Sequence, residues 1–306
     1  MNFDPQAALS FAIEQHSYIE QEINETPRPD IQYIGLVPVD TSAPDFAPSV
    51  TYYSSDMYGR AKWISGNSDD IPVSGGEMAA HETPMWTFGA GYRWGWEELG
   101  KAMYMGYPLQ AEDAKAARRS AEELIDRVVF EGDALKGATG LLNNPNVAVT
   151  AAAFGGWLAG PVTEDQILED VNLALFGLSN TTNFTVTANT LLLPPQYHRI
   201  LSTRRLGDTD TSLINYLRAN NTYTFMTGQP LTIRSVRALA TAGAAGGPRM
   251  VAYNNSSDVL KLNMPMPHRF LGVYQDGPLN WVVPGVGRVG ALEVRRPQEI
   301  SYVDGI

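Results

Sequence analysis

The strongest helical pattern in this sequence runs from Pro108 to about Glu131, and it sets the scale of the fold. Apolar residues recur there at helical spacing, among them Ala117, Ala121 and Ile125, while charged residues cover the other faces. A helix of this length spans about 35 Å at 1.5 Å per residue. Because its apolar stripe is narrow and rich in alanine, we expect the helix to lie close against a sheet. A wide charged face then remains for solvent or a partner.

A glycine-rich stretch, FEGDALKGATGLLNN, follows this helix and differs by one residue from the phosphate-binding Walker A loop. Ala138 stands where that motif requires lysine. The stretch also follows a helix and precedes a strand pattern, so no helix N-terminus would face a phosphate. We therefore interpret Gly132, Gly137 and Gly140 as structural turn residues. Gly132 is expected to stop the helix in a left-handed cap, and the other two to shape a tight connection.

The beginning of the chain contains little that can form a core of its own. Residues 4–25 have the spacing of an amphipathic helix, and the proline-rich stretch after them disfavours both a compact helix and a central strand. We interpret residues 1–49 as an extended arm, which must pack either on its own chain or on a neighbour. Residues 50–82 predict a hairpin around a polar turn at 66–70, polar on both faces. A two-stranded ribbon is marginal in water, so this hairpin is expected to complete itself against a partner.

Aromatic residues alternate along the next stretch of the chain. They are Trp86, Phe88, Tyr92, Trp94 and Trp96. Their even spacing predicts that all of them lie on one face of a single long strand. We favour a buried core face; the alternative is a platform that stacks on bases or sugars, and the acidic balance of the chain disfavours the bases.

Charge and composition restrict the chemistry of the chain. It has 33 acidic and 22 basic residues, a net charge of -11, which argues against a dedicated nucleic-acid binder and confines any such contact to weak binding or a local patch. Cysteine is absent, which excludes thiol catalysis and thiolate metal sites. The four histidines are scattered, and no nucleophile motif occurs. We expect no enzyme activity, cofactor or metal, and, without a run of roughly 20 apolar residues, no membrane contact.

The order of these parts resembles a known family. The motifs that carry the resemblance are RRSAEELID in the long helix, FEGD at its end, GATGLLN after it and RRPQE near the C-terminus. The chain resembles the major capsid protein of tailed bacteriophages, with the Hong Kong 97-like capsid fold, over essentially its whole length. The resemblance implies an α+β fold of four parts. These are an N-terminal arm at 1–49, an extended β-hairpin loop at 50–82, a peripheral domain with a long spine helix at 83–148 and 268–306, and an axial domain at 149–267.

The resemblance also implies the function of a structural subunit. Such a subunit self-assembles into the pentamers and hexamers of an icosahedral head shell that encloses phage double-stranded DNA. The partners implied are further copies of the chain, scaffold and portal proteins, decoration proteins in some members, and packaged DNA through weak, non-specific contact. The expected location is the virion, after assembly in the cytoplasm of the host bacterium.

Contacts between subunits are expected on the hairpin and on the exposed face of the long helix. The candidate contact residues are Arg60, Lys62, Trp63, Asp69, Asp70, Arg118, Arg119, Glu122 and Glu123. Two alternatives stay open. One is an encapsulin-type nanocompartment shell, which resembles the same fold and encloses cargo enzyme. The other is a nucleotide-hydrolysing enzyme built on the glycine-rich stretch.

Overall fold

The structure is a computed structural model that describes residues 28–63, 66, 71–98, 109–158 and 162–306. The chain divides into two units, residues 1–30 and residues 31–306. In the first unit the described residues are 28–30, which are exposed and have no regular secondary structure. The helix predicted at residues 4–25 lies outside the described part of the chain.

The second unit mixes strands and helices, as the predicted α+β class requires. Its strands are β1 Val39–Asp40, β2 Ser49–Tyr58, β3 Gly75–Gly89, β4 Tyr92–Gly95, β5 Val149–Ala151, β6 Thr190–Leu193, β7 Thr232–Ser235, β8 Arg249–Tyr253, β9 Leu260–Asn263, β10 Met266–Phe270, β11 Tyr274–Gln275, β12 Asn280–Val283, β13 Gly285–Gly290, β14 Leu292–Val294 and β15 Ile300–Asp304. Its α-helices are α1 Leu109–Phe130, α2 Glu164–Thr181, α3 Pro195–Thr203, α4 Leu213–Ala219 and α5 Thr222–Thr227. Among the described residues, no helix has both the length and the hydrophobicity needed to cross a bilayer.

A five-stranded mixed sheet, in the order β5-β15-β8-β6-β7, forms the centre of this unit. Strand β8 is buried at every residue, as a strand covered on both faces must be. Val251 of β8 packs in one core with Ile125 and Val129 of α1. Its neighbour Met250 packs in a second core with Ile167 of α2 and residues of α3 and α4. The sheet therefore carries α1 on one face and α2, α3 and α4 on the other.

The predicted long helix is confirmed as α1, a helix of 22 residues. Ala117 and Ala121 are buried on it, so the alanine-rich stripe does lie close to the rest of the fold. The sequence Thr163-Glu164-Asp165 has a capping signature that predicts the start of another helix, and α2 confirms this prediction. Thr163 is the N-cap of α2, and its side chain and that of Gln166 form a reciprocal capping box.

Part of the predicted arm packs on its own chain. Tyr33, Leu36 and Val37 are buried in the core that contains α1. The backbone amide of Tyr33 donates to Asp126 Oδ1 at 2.8 Å, and β1 pairs in parallel with β9. Hydrogen bonds from Lys261 and Ser42 lower the pKa of Asp40 in β1 to about 2. Residues 31–40 are thus held to the body by apolar burial, backbone pairing and charge.

The prediction of one long aromatic strand is wrong. Strand β3 ends at Gly89 and pairs with β13, whereas β4 begins at Tyr92 and pairs with β12 in another sheet. The break lies at Ala90 and Gly91, where a β-carbon at Gly91 would lie 2.5 Å from the Val283 carbonyl oxygen. Trp94 is buried, but Trp96 is exposed in a helical turn, so the five aromatic residues do not share one core face.

Candidate functional site

The ribbon formed by β2 and the first ten residues of β3 flanks the segment that contains the predicted contact residues Arg60, Lys62 and Trp63. Ten antiparallel pairs join the two strands, from Ser49 opposite Pro84 to Tyr58 opposite Gly75. The sheet order is β10-β13-β3-β2, and β13 pairs with β3 only from Met85 to Gly89. Over the ten ribbon pairs, the described residues therefore provide no third strand. No ribbon residue is buried, because alternate side chains project on both sides into solvent.

One face of the ribbon carries three large, exposed side chains that are mainly apolar, so the prediction of two polar faces is wrong. Tyr53, Met57 and Met78 project on the same side and are 68%, 87% and 72% exposed. Met78 lies directly opposite Ser55, which places it between Tyr53 and Met57 in the strand register. The three side chains therefore form a continuous exposed surface, called here the apolar ribbon face.

The opposite face of the ribbon is polar. Asp56 lies directly across from Glu77, and like charges in this position are mildly unfavourable. Nearer the body, the ring of His81 stacks on Tyr52 at 4.9 Å between centroids, and the Arg295 guanidinium lies 4.8 Å from the centre of the Tyr52 ring. Arg295 is itself paired with the buried Glu293 carboxylate at 2.9 Å. This face therefore anchors the ribbon base to strand β14.

The tip of the ribbon exposes further apolar side chains. Trp63 is fully exposed, and Ile71 and Val73 are largely exposed. The predicted contact residues Arg60 and Lys62 are also exposed in this segment. Asp69 and Asp70, which were predicted to contribute to the same contact, lie outside the described residues.

The contact residues predicted on α1 differ in their surroundings. Arg118 is exposed, and Arg119 pairs with Glu123 at 3.0 Å in an i,i+4 ion pair near the surface. Exposed pairs of this kind contribute little to stability. Glu122 instead accepts a hydrogen bond from the Tyr33 hydroxyl at 2.7 Å. Burial, together with this bond, raises the pKa of Tyr33 well above its ordinary value. Glu122 thus has a role inside the subunit that the sequence pattern did not predict.

The glycine-rich stretch closes the C-terminus of α1. Gly132 has φ of +75°, and a β-carbon there would lie 2.2 Å from the Ala138 carbonyl oxygen. A β-carbon at Gly140 would lie 2.3 Å from the Phe130 carbonyl oxygen. Gly137 has φ of +66° but faces open space, and it ends a short 3-10 turn at residues 134–136. Two of these glycines therefore permit close backbone contact, and Gly137 permits only a left-handed turn.

Most backbone amide groups of this stretch are already hydrogen-bonded within the chain. Leu141 and Leu142 donate to the carbonyl groups of Val129 and Phe130 in the last turn of α1. The Asp133 carboxylate accepts from the Leu135 amide at 2.9 Å. A phosphate bound here would have to displace the Asp133 carboxylate from the Leu135 amide, and the two negative charges would repel each other. The geometry therefore does not fit a nucleotide-binding loop.

A buried ion pair fixes the glycine-rich stretch to the end of the central sheet. Arg249 donates to both carboxylate oxygens of Asp304, at 2.6 and 2.8 Å, and to the Leu142 carbonyl oxygen at 2.7 Å. Its guanidinium also lies 4.6 Å from the centre of the Tyr302 ring, whose hydroxyl donates to the Leu141 carbonyl oxygen. Burial raises the pKa of Tyr302 to about 12. Burial would also raise the pKa of Asp304, but hydrogen bonds from Arg249 and the Ala244 amide hold it below its ordinary value.

Sequence reasoning missed this ion pair, and no local pattern could have identified it. Arg249 and Asp304 are 55 residues apart, on strands that only the folded sheet brings together.

The described residues give little support for a metal site or a catalytic nucleophile. They contain no group of three or more histidine, aspartate or glutamate side chains placed to bind a metal ion. Ser54 and His81 are in hydrogen-bond contact at 2.9 Å, but His81 is exposed and Ser54 is only half-buried on the ribbon. They lack the enclosed setting in which such a pair becomes a nucleophile.

Comparisons with known proteins agree on one family. The model of the major capsid protein family matches residues 59–306. Among solved structures, the capsid of Myoviridae phage XM1 has a TM-score of 0.79 at 18% identity, over 96% of this chain and 98% of that chain. The capsid of the native GTA particle has a TM-score of 0.68 at 10% identity, and the structure from Mycobacterium phage Bobi has 0.65 at 13%, each over 99% of both chains. No curated protein sequence matches the chain.

Proposed function

The chain belongs to the major capsid protein family, and we propose that it self-assembles into pentamers and hexamers of an icosahedral head shell that encloses phage double-stranded DNA. One observation carries the assembly step. A folded body extends a ribbon of ten residue pairs that has an exposed apolar face and, within the described residues, no third strand beside it. Such a ribbon becomes well stabilised only when another surface covers it.

The fold predicted from the sequence is confirmed. The structural matches are capsid structures that share nearly the full length of this chain, and the mixed helix and sheet architecture has the predicted Hong Kong 97-like type. The division into an arm at 1–49, an extended loop at 50–82, a peripheral domain at 83–148 and 268–306, and an axial domain at 149–267 is part of the proposal.

Burial of the apolar ribbon face on a neighbouring copy supplies the attraction between subunits. Fully burying a large apolar side chain contributes about 1.5–3 kcal/mol before the costs of association. Tyr53, Met57 and Met78 start from high exposure, so most of this gain remains available to the assembly. Every subunit both gives and receives the same contact, and rings of such contacts close around a symmetry axis when the rotation between neighbours fits that axis.

Charged residues set the geometry of these contacts. Arg60 and Lys62 near the ribbon tip, with Asp69 and Asp70, are proposed to meet polar groups of a neighbour. On α1 the exposed Arg118 and the pair Arg119 and Glu123 are proposed for the same purpose. Complementary charges across an interface fix orientation and exclude wrong partners more than they add affinity.

The remaining partners follow from the same proposal. The shell would engage a scaffold, a portal and, where present, decoration proteins, and it would touch packaged DNA weakly and without sequence specificity. Its location would be the virion, with assembly in the cytoplasm of the host bacterium. The capsids matched by structure come from phages and from a GTA particle, which favours this reading over the encapsulin alternative.

Removal of residues 60–74 tests the assembly step. The expected result is a folded subunit that no longer forms closed shells by electron microscopy, because the tip and part of its contact surface are gone. The control is deletion of residues 208–210, an exposed turn next to α4, which should leave shells intact. Normal shells from the 60–74 deletion would contradict the proposed role of the ribbon.

A further inference from the structure

Two peptide bonds in this chain join an aspartate to a glycine, Asp276-Gly277 and Asp304-Gly305, and no asparagine precedes a glycine. At such a step the side-chain carboxyl group can react with the backbone nitrogen of the next residue, because glycine has no side chain to hinder the approach. The reaction needs a carboxyl group that can turn toward this nitrogen, and a nitrogen without another partner. The fold places the two steps in opposite settings.

The step at Asp304 is held from several sides. The Asp304 side chain is 14% exposed, and its two carboxylate oxygens accept hydrogen bonds from Arg249 at 2.6 and 2.8 Å. The Gly305 amide donates to the Pro248 carbonyl oxygen at 3.3 Å, and the Asp304 carbonyl oxygen accepts from the Ala152 amide at 2.9 Å. Strand β15 pairs with a strand on each side at Asp304. Both reacting groups are therefore occupied, and the backbone between them cannot rotate without breaking hydrogen bonds of the central sheet.

The step at Asp276 lies in the exposed turn between β11 and β12. Every residue from 271 to 280 is exposed, and Gly277 has φ of +79°, which glycine adopts without strain. The Asp276 amide donates to the Asn280 carbonyl oxygen at 2.9 Å and so closes the turn. Among the described residues, however, no group accepts a hydrogen bond from the Gly277 amide, and none donates to the Asp276 carboxylate. Both reacting groups are thus free in the same turn.

Few contacts restrain this turn. Strand β11 is an edge strand that pairs with β12 through two residues only. A side-chain hydrogen bond from Gln275 to the Pro278 carbonyl oxygen, at 3.3 Å, spans the turn, and a β-carbon at Gly277 would have no atom within 4 Å. Exposed segments with so few contacts open locally at little cost in free energy. The Asp276 side chain can therefore reach the Gly277 nitrogen while the rest of the fold stays intact.

We propose that Asp276-Gly277 is a site of spontaneous backbone modification, at which aspartate converts to isoaspartate through a cyclic succinimide. The Gly277 nitrogen attacks the carbonyl carbon of the protonated Asp276 carboxyl group, and a new C–N bond forms. The carboxyl C–OH bond breaks, and the hydroxyl leaves as water with the proton that the nitrogen gives up. Water then opens the ring, and opening at the main-chain carbonyl group leaves isoaspartate. The reaction uses only water and is independent of the assembly proposed above.

The product changes the course of the main chain at the turn. In isoaspartate the backbone runs through the former side-chain carbons, which inserts one methylene group and leaves the old main-chain carboxyl group as a side branch. The turn that the Asp276 and Asn280 hydrogen bond closes must then span an additional atom. Because β11 pairs only with β12, the hairpin should loosen while both hydrophobic cores remain packed.

The test follows both steps in one sample of the full chain, kept in neutral buffer at physiological temperature for several weeks. Trypsin releases residues 270–288, which contain Asp276, and residues 296–306, which contain Asp304. In liquid chromatography with mass spectrometry, the isoaspartate peptide separates from the aspartate peptide at the same mass, and the succinimide is lighter by one water. We expect conversion at Asp276 to be many-fold faster than at Asp304 in the folded protein. In concentrated urea, which removes the fold, the two rates should become similar.

The matched control is Asp276→Glu, which keeps the charge and Gly277 but would have to close a larger, less favourable ring. Its peptide 270–288 should stay unconverted, and conversion there would assign the signal to another residue and overturn the inference. Equal rates at the two steps in the folded protein would also overturn it, as would a folded protein that converts at neither step while both convert in urea. A difference that persists in urea would show that the neighbouring sequence, and not the fold, sets the two rates, which contradicts the proposal as well.

Discussion

The ribbon and the central sheet are built from the same type of backbone pairing but depend on different surroundings. The ribbon joins β2 and β3 through ten pairs, yet none of its residues is buried. In the central sheet, β8 has only five residues, and every one is buried between α1 on one side and α2 to α4 on the other. Pairing alone therefore does not stabilise a sheet in this molecule; coverage of its faces does.

This difference separates stability from assembly. Substitutions in the covered sheet should unfold the subunit, because each buried group has partners that cannot rearrange. Substitutions on the ribbon should leave the subunit folded, because its side chains contact solvent, and should act on contacts between subunits. The free energy of unfolding and the yield of shells are thus expected to report on different residues.

The largest loss of stability is expected at the buried ion pair of the covered region. Arg249→Ala should lower the free energy of unfolding by about 3 kcal/mol or more, because it leaves the Asp304 carboxylate and the Leu142 carbonyl group buried without their donor. The measurement is the urea midpoint of the unassembled subunit. The control is Arg205→Ala, whose partner Asp210 is fully exposed, and it should change stability by less than about 1 kcal/mol. Equal losses in the two variants would show that burial does not determine the strength of these pairs.

A smaller loss is expected at the turn that ends α1. Gly140→Ala should lower the free energy of unfolding by about 1–3 kcal/mol, because the new methyl group must push apart Phe130 and the backbone of Gly132. The control is Gly137→Ala, which has open space around its β-carbon and should lose only the roughly 1 kcal/mol of a left-handed backbone. Thermal unfolding of both variants compares the two costs. A larger loss at Gly137 than at Gly140 would contradict the close approach seen in the fold.

Local patterns in the sequence were sufficient for several elements. The spacing of apolar residues predicted α1, and the capping signature at Thr163-Glu164-Asp165 predicted the start of α2. The Gly, Asn and Asp turn between alternating segments predicted the pairing of β2 with β3. In each of these elements, the contacts that determine the structure join residues close together in the sequence. A local sequence pattern is therefore enough to predict them.

Contacts between distant segments could not be predicted in this way. The break at Ala90 and Gly91 arises because β13 and β12 pair with successive halves of the aromatic stretch. The apolar ribbon face was missed because its members come from two strands, so only the register that sets Met78 opposite Ser55 makes them neighbours. For the proposed assembly surface, the sequence predicted the hairpin segment, but its prediction that both faces are polar was wrong.

Substitutions on the ribbon are expected to change the free energy of unfolding least, although they should strongly reduce shell formation. Tyr53→Ser, Met57→Ser and Met78→Ser together should change the free energy of unfolding of the unassembled subunit by about 0.5 kcal/mol or less per site, because all three side chains already contact solvent. The same variant should fail to form shells, since it removes the apolar surface that a neighbour would cover.

The control, Asp56→Asn with Glu77→Gln, removes a like-charge pair from the opposite face and should leave the subunit slightly more stable and able to assemble. Electron microscopy and urea titration of both variants measure the two properties separately. Shells from the triple variant would move the main attraction between subunits away from this face, and a large loss of its stability would mean that the ribbon is supported by its own body after all.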